Sequence, residues 1–166
     1  MTGWKAVNPD FAHALRDAVL SMPAARHLGF VFGRIAPGDV EIIQPYREEL
    51  SQHDGFFQGG VLGALADFAG GSAAGTLLPA GWVNMTVDYT VKILAPAKGK
   101  SVVARGRVVH LGHSTTVAAA DLYSAAAADL SPQADPGAQA DPRERPVGTL
   151  CATALVTMRN IKLPPP

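Results

Sequence analysis

Gln58-Gly59-Gly60-Val61-Leu62-Gly63-Ala64-Leu65-Ala66-Asp67-Phe68-Ala69-Gly70-Gly71-Ser72-Ala73-Ala74-Gly75-Thr76-Leu77 is the stretch on which the fold turns. Val61, Leu62, Leu65, Phe68 and Ala69 recur at helical spacing, and Leu78-Pro79-Ala80-Gly81 closes the segment. This predicts a helix from Gly59-Gly60 to about Leu77. A helix apolar or small on nearly every side loses its water only when a curved sheet wraps it. The chain that follows supplies the strands. Asn84–Ile93 alternates Met85, Val87, Tyr89, Val91 and Ile93 with Asn84, Thr86, Asp88, Thr90 and Lys92, which predicts a strand with one packed and one polar face. Pro96 and Lys98-Gly99-Lys100 lead to a strand over Ser101–Leu111, and Gly112-His113 to one over Ser114–Tyr123. A last strand is expected from Gly148 to Arg159.

Upstream, Asn8–Leu20 reads as a helix, with Asn8 as N-cap, Pro9 at the first position and Phe11, Leu15, Ala18 and Val19 on one face. Pro23 is expected to stop it, and Leu28–Ile35 and Asp39–Pro45 read as strands joined by Ala36-Pro37-Gly38. Glu48–Phe57 reads as a loop, and Ser124–Pro146, rich in Ala, Asp and Pro, as an inserted loop. The outline is one α+β domain over 1–166, a curved antiparallel sheet around a central long helix, with an N-terminal helical segment (1–27) and an insertion (124–146).

Composition narrows the function classes. At 166 residues, 48% hydrophobic and 17% charged, the chain buries one core and is not a disordered tail. Fourteen Lys+Arg balance 14 Asp+Glu, so no basic field is available for nucleic acid, and little self-repulsion opposes association. The single Cys151 excludes an intramolecular disulfide and a Cys-based zinc cluster, and the five histidines show no metal-binding spacing, so no metal is expected. Neither a G-x-S-x-G elbow nor a P-loop is present. MTGWKAVNPDF lacks a basic region followed by an apolar core, and no apolar run reaches membrane-span length, so a soluble cytoplasmic protein without a membrane partner is expected.

Asp67 is the only ionisable residue between Val61 and Leu77, and its helical neighbours are Gly63, Ala64, Gly70, Gly71 and Ala74. Each glycine costs the helix roughly 1 kcal/mol against Ala. Two readings fit: a substrate or partner backbone approaches this stripe, or small residues allow tight helix–sheet packing with Asp67 satisfied by hydroxyls. Gly59-Gly60 likewise reads as a plain turn, or as free helix-start N–H donors for a developing oxyanion. Gly59 precedes Asp67 by eight residues, about 12 Å along a helix. One helix does not bring both groups to a small substrate, so either a second chain supplies one of them or the substrate spans the gap.

Gln58 to Asp67 resembles the HGG-x6-D signature of hotdog-fold acyl-CoA thioesterases of the phenylacetate-degradation (PaaI-like) group. The resemblance continues through Thr86-Val87-Asp88-Tyr89, Leu94-Ala95-Pro96-Ala97, Gly106–Leu111, Gly112-His113-Ser114 and Thr115–Asp121, covering roughly Gln52 to Tyr123 and the final strand. It implies a hotdog fold and a homodimer, often paired into a homotetramer, with sites at the dimer interface. The Gly59 N–H would polarise the thioester carbonyl, Asp67 would act as general base or nucleophile, Gln52 would help place the water, and Thr86 would orient carboxylate or water. The implied substrate is an acyl-CoA, with coenzyme A as part of the substrate and no separate cofactor. Gln58 stands where the group has His; its amide hydrogen-bonds but does not titrate, and His53 in the same loop is a candidate replacement. Further candidates for substrate binding are Gly60, Phe57, Ala64, Gly71, His113 and Ser114, with Arg105, Arg107 and His113 for coenzyme A phosphates and Phe56, Phe57, Phe68 and Trp82 for acyl-pocket walls. The expected function is acyl-CoA hydrolysis. The alternatives are a non-catalytic acyl-CoA- or ligand-binding hotdog protein, which Gln58 favours, and a hotdog hydratase or dehydratase.

Overall fold

In the computed structural model, which describes residues 3–126 and 148–164, Asn8 stands two residues before the N-cap of the first helix, Asp10, rather than at the cap. Its Oδ1 accepts from the Asp10 N–H at 3.0 Å, so α1 runs Phe11–Ser21. Pro23 ends α1 and also opens a second helix that sequence reading did not foresee, α2 (Pro23–Leu28), because its fixed φ and missing N–H suit a first helical turn. Gly29, left-handed at φ 72, caps α2, so β1 (Val31–Ala36) begins after Leu28 rather than at it. β2 (Asp39–Pro45) follows, then two single 3-10 turns, Glu48–Leu50 and His53–Gly55. The central helix α3 spans Gly59–Gly75, and β3 (Trp82–Ile93), β4 (Ser101–Leu111), β5 (Thr115–Ala125) and β6 (Thr149–Lys162) complete the fold.

The strands form one open antiparallel sheet in the order β1-β2-β4-β5-β6-β3, with α3 packed on its inner face. The expected central helix and wrapping sheet are therefore present. Ser124 and Ala125, assigned to the insertion, extend β5; residues 127–146 of that segment lie outside the described residues. No helix among the described residues is long and apolar enough to cross a membrane.

Helix and sheet meet at backbone contact. A Cβ on Gly106 of β4 would lie 2.1 Å from the Ala69 carbonyl oxygen of α3. Ala66, Ala69 and Ala73 sit wholly buried in that contact, beside Val102, Ala104, Ala118 and Val156. Small side chains bring the two layers together, and the larger Phe32, Ile42, Leu62, Leu65 and Leu122 fill the flanks, each fully buried aliphatic or aromatic contributing roughly 1.5–3 kcal/mol.

β3 departs from its expected pattern. Among the described residues the strand pairs only with β6, and its register slips between Thr86 and Asp88, where a bulge inserts one residue. A one-residue slip exchanges the faces of a strand. Trp82, Asn84 and Thr86 therefore face α3 before the bulge, and Tyr89, Val91 and Ile93 face it after. The apolar set is not one packed face: Met85 and Val87 are 59% and 62% exposed.

Candidate active site

Asp67 lies in the middle of α3. The bulge in β3 brings Thr86 opposite it, and Thr86 Oγ1 donates to Asp67 Oδ1 at 2.6 Å, a short charge-assisted bond. Two residues earlier, Asn84 Nδ2 donates to the Gly71 carbonyl oxygen at 2.8 Å and ties the same strand to the helix backbone. Asp67 is half-buried and borders a cavity of about 370 Å³ between α1, α3 and the start of β3. Phe11, Leu15 and Val19 of α1 form its outer wall, with Phe68 and Trp82 facing them.

The small-residue stripe divides between the two readings of it. A Cβ on Gly70 would lie 3.0 Å from Val156 Cγ2, and one on Gly63 would meet the Tyr89 ring at 3.5 Å, so these two serve packing. Gly71 is on the cavity wall, and a Cβ there would meet nothing closer than Met158 Sδ at 3.8 Å. Ala64 is half-buried.

At the start of α3, Gln58 is the N-cap residue, and its Oε1 accepts from the Val61 N–H at 3.1 Å. Gly60 leaves room for this: a Cβ there would stand 2.8 Å from Gln58 Oε1. Among the described residues, the Gly59 and Gly60 N–H groups find no backbone acceptor, as expected for the first turn of a helix. Within one chain these donors stand about 12 Å along the helix from Asp67.

The remaining predicted residues scatter. Gln52 and His53 are exposed at the 3-10 turn, where the Gln52 N–H donates to the Phe56 carbonyl oxygen at 2.8 Å. Phe57 is a core residue, 2% exposed and edge-on to Tyr46, so it does not line the cavity. Phe56 lies under the Lys98 ammonium, also away from the cavity. His113 and Ser114 are exposed in the β4–β5 turn, His113 meeting Trp82 edge-on at 5.9 Å between ring centres. Arg105 and Arg107 point to the sheet face opposite Gly106 and α3; Arg105 is held by Glu41 at 2.9 Å and lies over the Tyr123 ring. Sequence reasoning missed the role of α1 as a cavity wall and of Asn84 as an anchor. The apolar face Phe11, Leu15, Val19 was the available signal, but nothing in the sequence tells which element it faces. Among the described residues, no group of three or more His, Cys, Asp or Glu is placed to hold a metal ion.

Comparison with known proteins gives this geometry a family. Residues 54–128 match the model of the thioesterase superfamily. A protein of Halobacterium salinarum named "Putative esterase VNG_1336C" is 31% identical over 153 residues, covering 89% of this chain and 93% of that protein. The crystal structure of a thioesterase family protein from Silicibacter pomeroyi superposes with a TM-score of 0.76 at 28% identity, over 92% of this chain and 98% of that one. A phenylacetic acid degradation-related protein from Ralstonia eutropha, named a putative thioesterase, shares the fold at a TM-score of 0.67 and 23% identity, over 90% and 98% of the two chains. By relatives and architecture together, the chain belongs to the thioesterase superfamily and carries its hotdog fold.

Proposed function

We propose that this chain hydrolyses acyl-CoA thioesters to the free acid and coenzyme A, with Asp67 as the group that activates water. Thioester hydrolysis is the activity for which its family is named. The observation that carries the finer reading is the half-buried Asp67 carboxylate, oriented by Thr86 at 2.6 Å and opening on an apolar cavity. A carboxylate so held accepts a proton from water while the water oxygen adds to the thioester carbon. The carbonyl oxygen becomes an oxyanion, for which the Gly59 N–H at the helix start is a suitable donor. Collapse expels the coenzyme A thiolate, which takes up the proton.

One helix does not offer both Gly59 and Asp67 to one carbonyl, so the active unit is a homodimer in which each site takes the donor from one chain and the carboxylate from the other. The surface that supports this is β3: a 12-residue edge strand, unpaired along its outer side among the described residues, with Val83, Met85 and Val87 exposed along it. Long apolar edges are pairing surfaces.

Two measurements test the reading. Thiol release from a panel of acyl-CoAs is expected to be lost in Asp67→Ala with the circular dichroism spectrum unchanged; full activity in that variant would refute the mechanism. Gly59→Pro removes the donor N–H and suits a first helical position, since Gln58 already has the extended ψ of 140 that a following proline requires. Its Cβ would stand 3.1 Å from Ile93 Cδ1, a side-chain end that must give slightly, so an unchanged circular dichroism spectrum is required of this variant too. Mixing and re-associating the two inactive variants is expected to restore about a quarter of the activity, because random pairing makes half the dimers mixed and each of these holds one intact site. No recovery, with mixed dimers verified, would place both groups in one chain.

One observation favours a second reading, ligand binding without hydrolysis. Gln58, at the position of the group's His, is engaged in capping and cannot titrate. Tight acyl-CoA binding with no thiol release by the unaltered chain would decide for it.

A further inference from the structure

Ser72 lies five residues past Asp67 on the cavity side of α3, is 2% exposed, and its hydroxyl has no hydrogen-bond partner. Thr76, four residues further on, shows what a buried helical hydroxyl does when it is structural: it donates to the Ala73 carbonyl oxygen at 2.6 Å and accepts from the Gly38 N–H at 2.7 Å. Ser72 makes neither kind of bond. A buried hydroxyl left unmade is costly to the folded chain, and such groups call for an explanation.

The surroundings supply one. The cavity that Ser72 lines is otherwise walled by α1 side chains such as Phe11, Leu15 and Val19, and opens at its other side on Asp67. Gly71 leaves space beside Ser72, and at Gly75 a Cβ would stand 3.0 Å from Leu15 Cδ1, which places α1 directly over this part of α3. Ser72 stands five residues from Asp67, about 7.5 Å along the helix. The Ser72 hydroxyl oxygen itself shows almost no accessible surface, so it meets a ligand by turning about its side-chain bond toward the cavity, and a thioester carbonyl held at Asp67 would run its acyl chain along α3, beneath α1, toward it.

We propose that the α1–α3 cavity is the acyl pocket and that Ser72 is its specificity-determining residue, selecting medium-length aliphatic acyl groups that carry a hydroxyl or carbonyl oxygen at their far end over plain alkyl chains. This rests on the hydrolytic reading of Asp67. A site built to hydrogen-bond a substituent rejects the analogue that lacks it, because its own polar group is then left unpaired.

The test compares 6-hydroxyhexanoyl-CoA with hexanoyl-CoA by kcat/KM for thiol release. The unaltered chain is expected to favour the hydroxylated member by about tenfold to hundredfold. Ser72→Ala is expected to bring that ratio close to one, and Ser72→Cys, whose slightly larger thiol is only a weak donor, to lower it in the same direction. A ratio near one in the unaltered chain, or a ratio that Ser72→Ala leaves unchanged, overturns the proposal. Equilibrium binding of both compounds to Asp67→Asn, followed by tryptophan fluorescence with Trp82 in the cavity wall, separates the two readings. Preference in binding that Ser72→Ala abolishes, without turnover by the unaltered chain, sinks hydrolysis and upholds the pocket. Turnover of both compounds without preference in either measurement sinks the pocket and upholds hydrolysis.

Discussion

Gly106→Ala puts one methyl group between the two central layers. The added carbon would lie 2.1 Å from the Ala69 carbonyl oxygen, 2.4 Å from the Ala69 carbonyl carbon and 2.9 Å from the Gly70 nitrogen, where ordinary contact begins at 3.4 Å. All three atoms are backbone of α3, so no side chain can swing aside; the helix must rise from β4 by more than an ångström. That rise thins the packing of Ala66, Ala69 and Ala73, all with no exposed surface. Overpacking by one methylene costs roughly 1–3 kcal/mol, and with both partners backbone the upper end applies, about 3 kcal/mol. With an m-value of about 1–3 kcal/mol/M, the urea midpoint is expected to fall by about 1 M or more. Trp4 and Trp82 fluorescence and circular dichroism give the transition, at one protein concentration because the proposed homodimer would add to stability. Gly71→Ala is the control: its nearest neighbour is 3.8 Å away, so the alanine fits and contributes about 1 kcal/mol of helix propensity. A Gly106→Ala midpoint within about 0.3 M of the parent, or equal losses in both variants, would refute backbone contact as the reason for this glycine.

Thr86→Val keeps the branched shape and removes the donor to Asp67; kcat/KM for thiol release is expected to drop by about tenfold, the lower range for a bond to a charged group because this one is reached by solvent. An undiminished rate would show that the bond does not orient the carboxylate for reaction. Gln58→Ala removes the cap on Val61 and is expected to destabilise by about 0.5–1 kcal/mol, whereas Gln58→Ser, a better cap residue, holds or raises the urea midpoint. Burial pushes the Cys151 thiol above its ordinary range, and its Sγ contacts the Leu122 carbonyl oxygen at 3.3 Å. The folded chain therefore keeps a proton that the unfolded chain releases, and this contribution to stability is complete below the unfolded pKa and falls as pH rises past it. Comparing urea midpoints at pH 8 and pH 10, the loss is expected to be larger for the parent than for Cys151→Ala, and equal losses would contradict the assignment.

Much of the fold was legible because its signals are local. The apolar run of α3 and the turn residues that bound β2, β4 and β5 are signals close in sequence, and Asp39–Pro45 and Ser101–Leu111 coincide with their expected strands. Asp67 was legible because an ionisable residue in an apolar helix needs a reason. What was not legible depends on distant partners. Phe57 and Phe68 are the same residue type in the same part of the chain, yet one packs on Tyr46 in the core and the other faces α1 across a cavity. Ser72 is an ordinary helical serine until its missing partner is seen. Arg105 and Arg107 alternate as a charged pair should, but the sheet turns them away from the helix that carries Asp67.

The bulge in β3 shows why alternation alone misplaces a site. In a regular strand, Thr86 and Tyr89 would lie on opposite faces, and one strand could offer α3 either the hydroxyl or the ring. The slip between Thr86 and Asp88 lets it offer both, with Thr86 on Asp67 and Tyr89 over Gly63. β3 is thereby divided by task along its length. Trp82, Asn84 and Thr86, ahead of the bulge, border the cavity and hold the carboxylate, while Tyr89, Val91 and Ile93, beyond it, pack on the first turns of α3 and the core. The division also explains the glycines facing it: Gly59 admits Ile93 and Gly63 admits Tyr89, whereas Gly71 meets only the Asn84 amide and Met158 and leaves the cavity open. A polar residue read on the solvent side of an amphipathic strand thus reaches the helix because a single inserted residue reverses the strand's faces between the site and its packing.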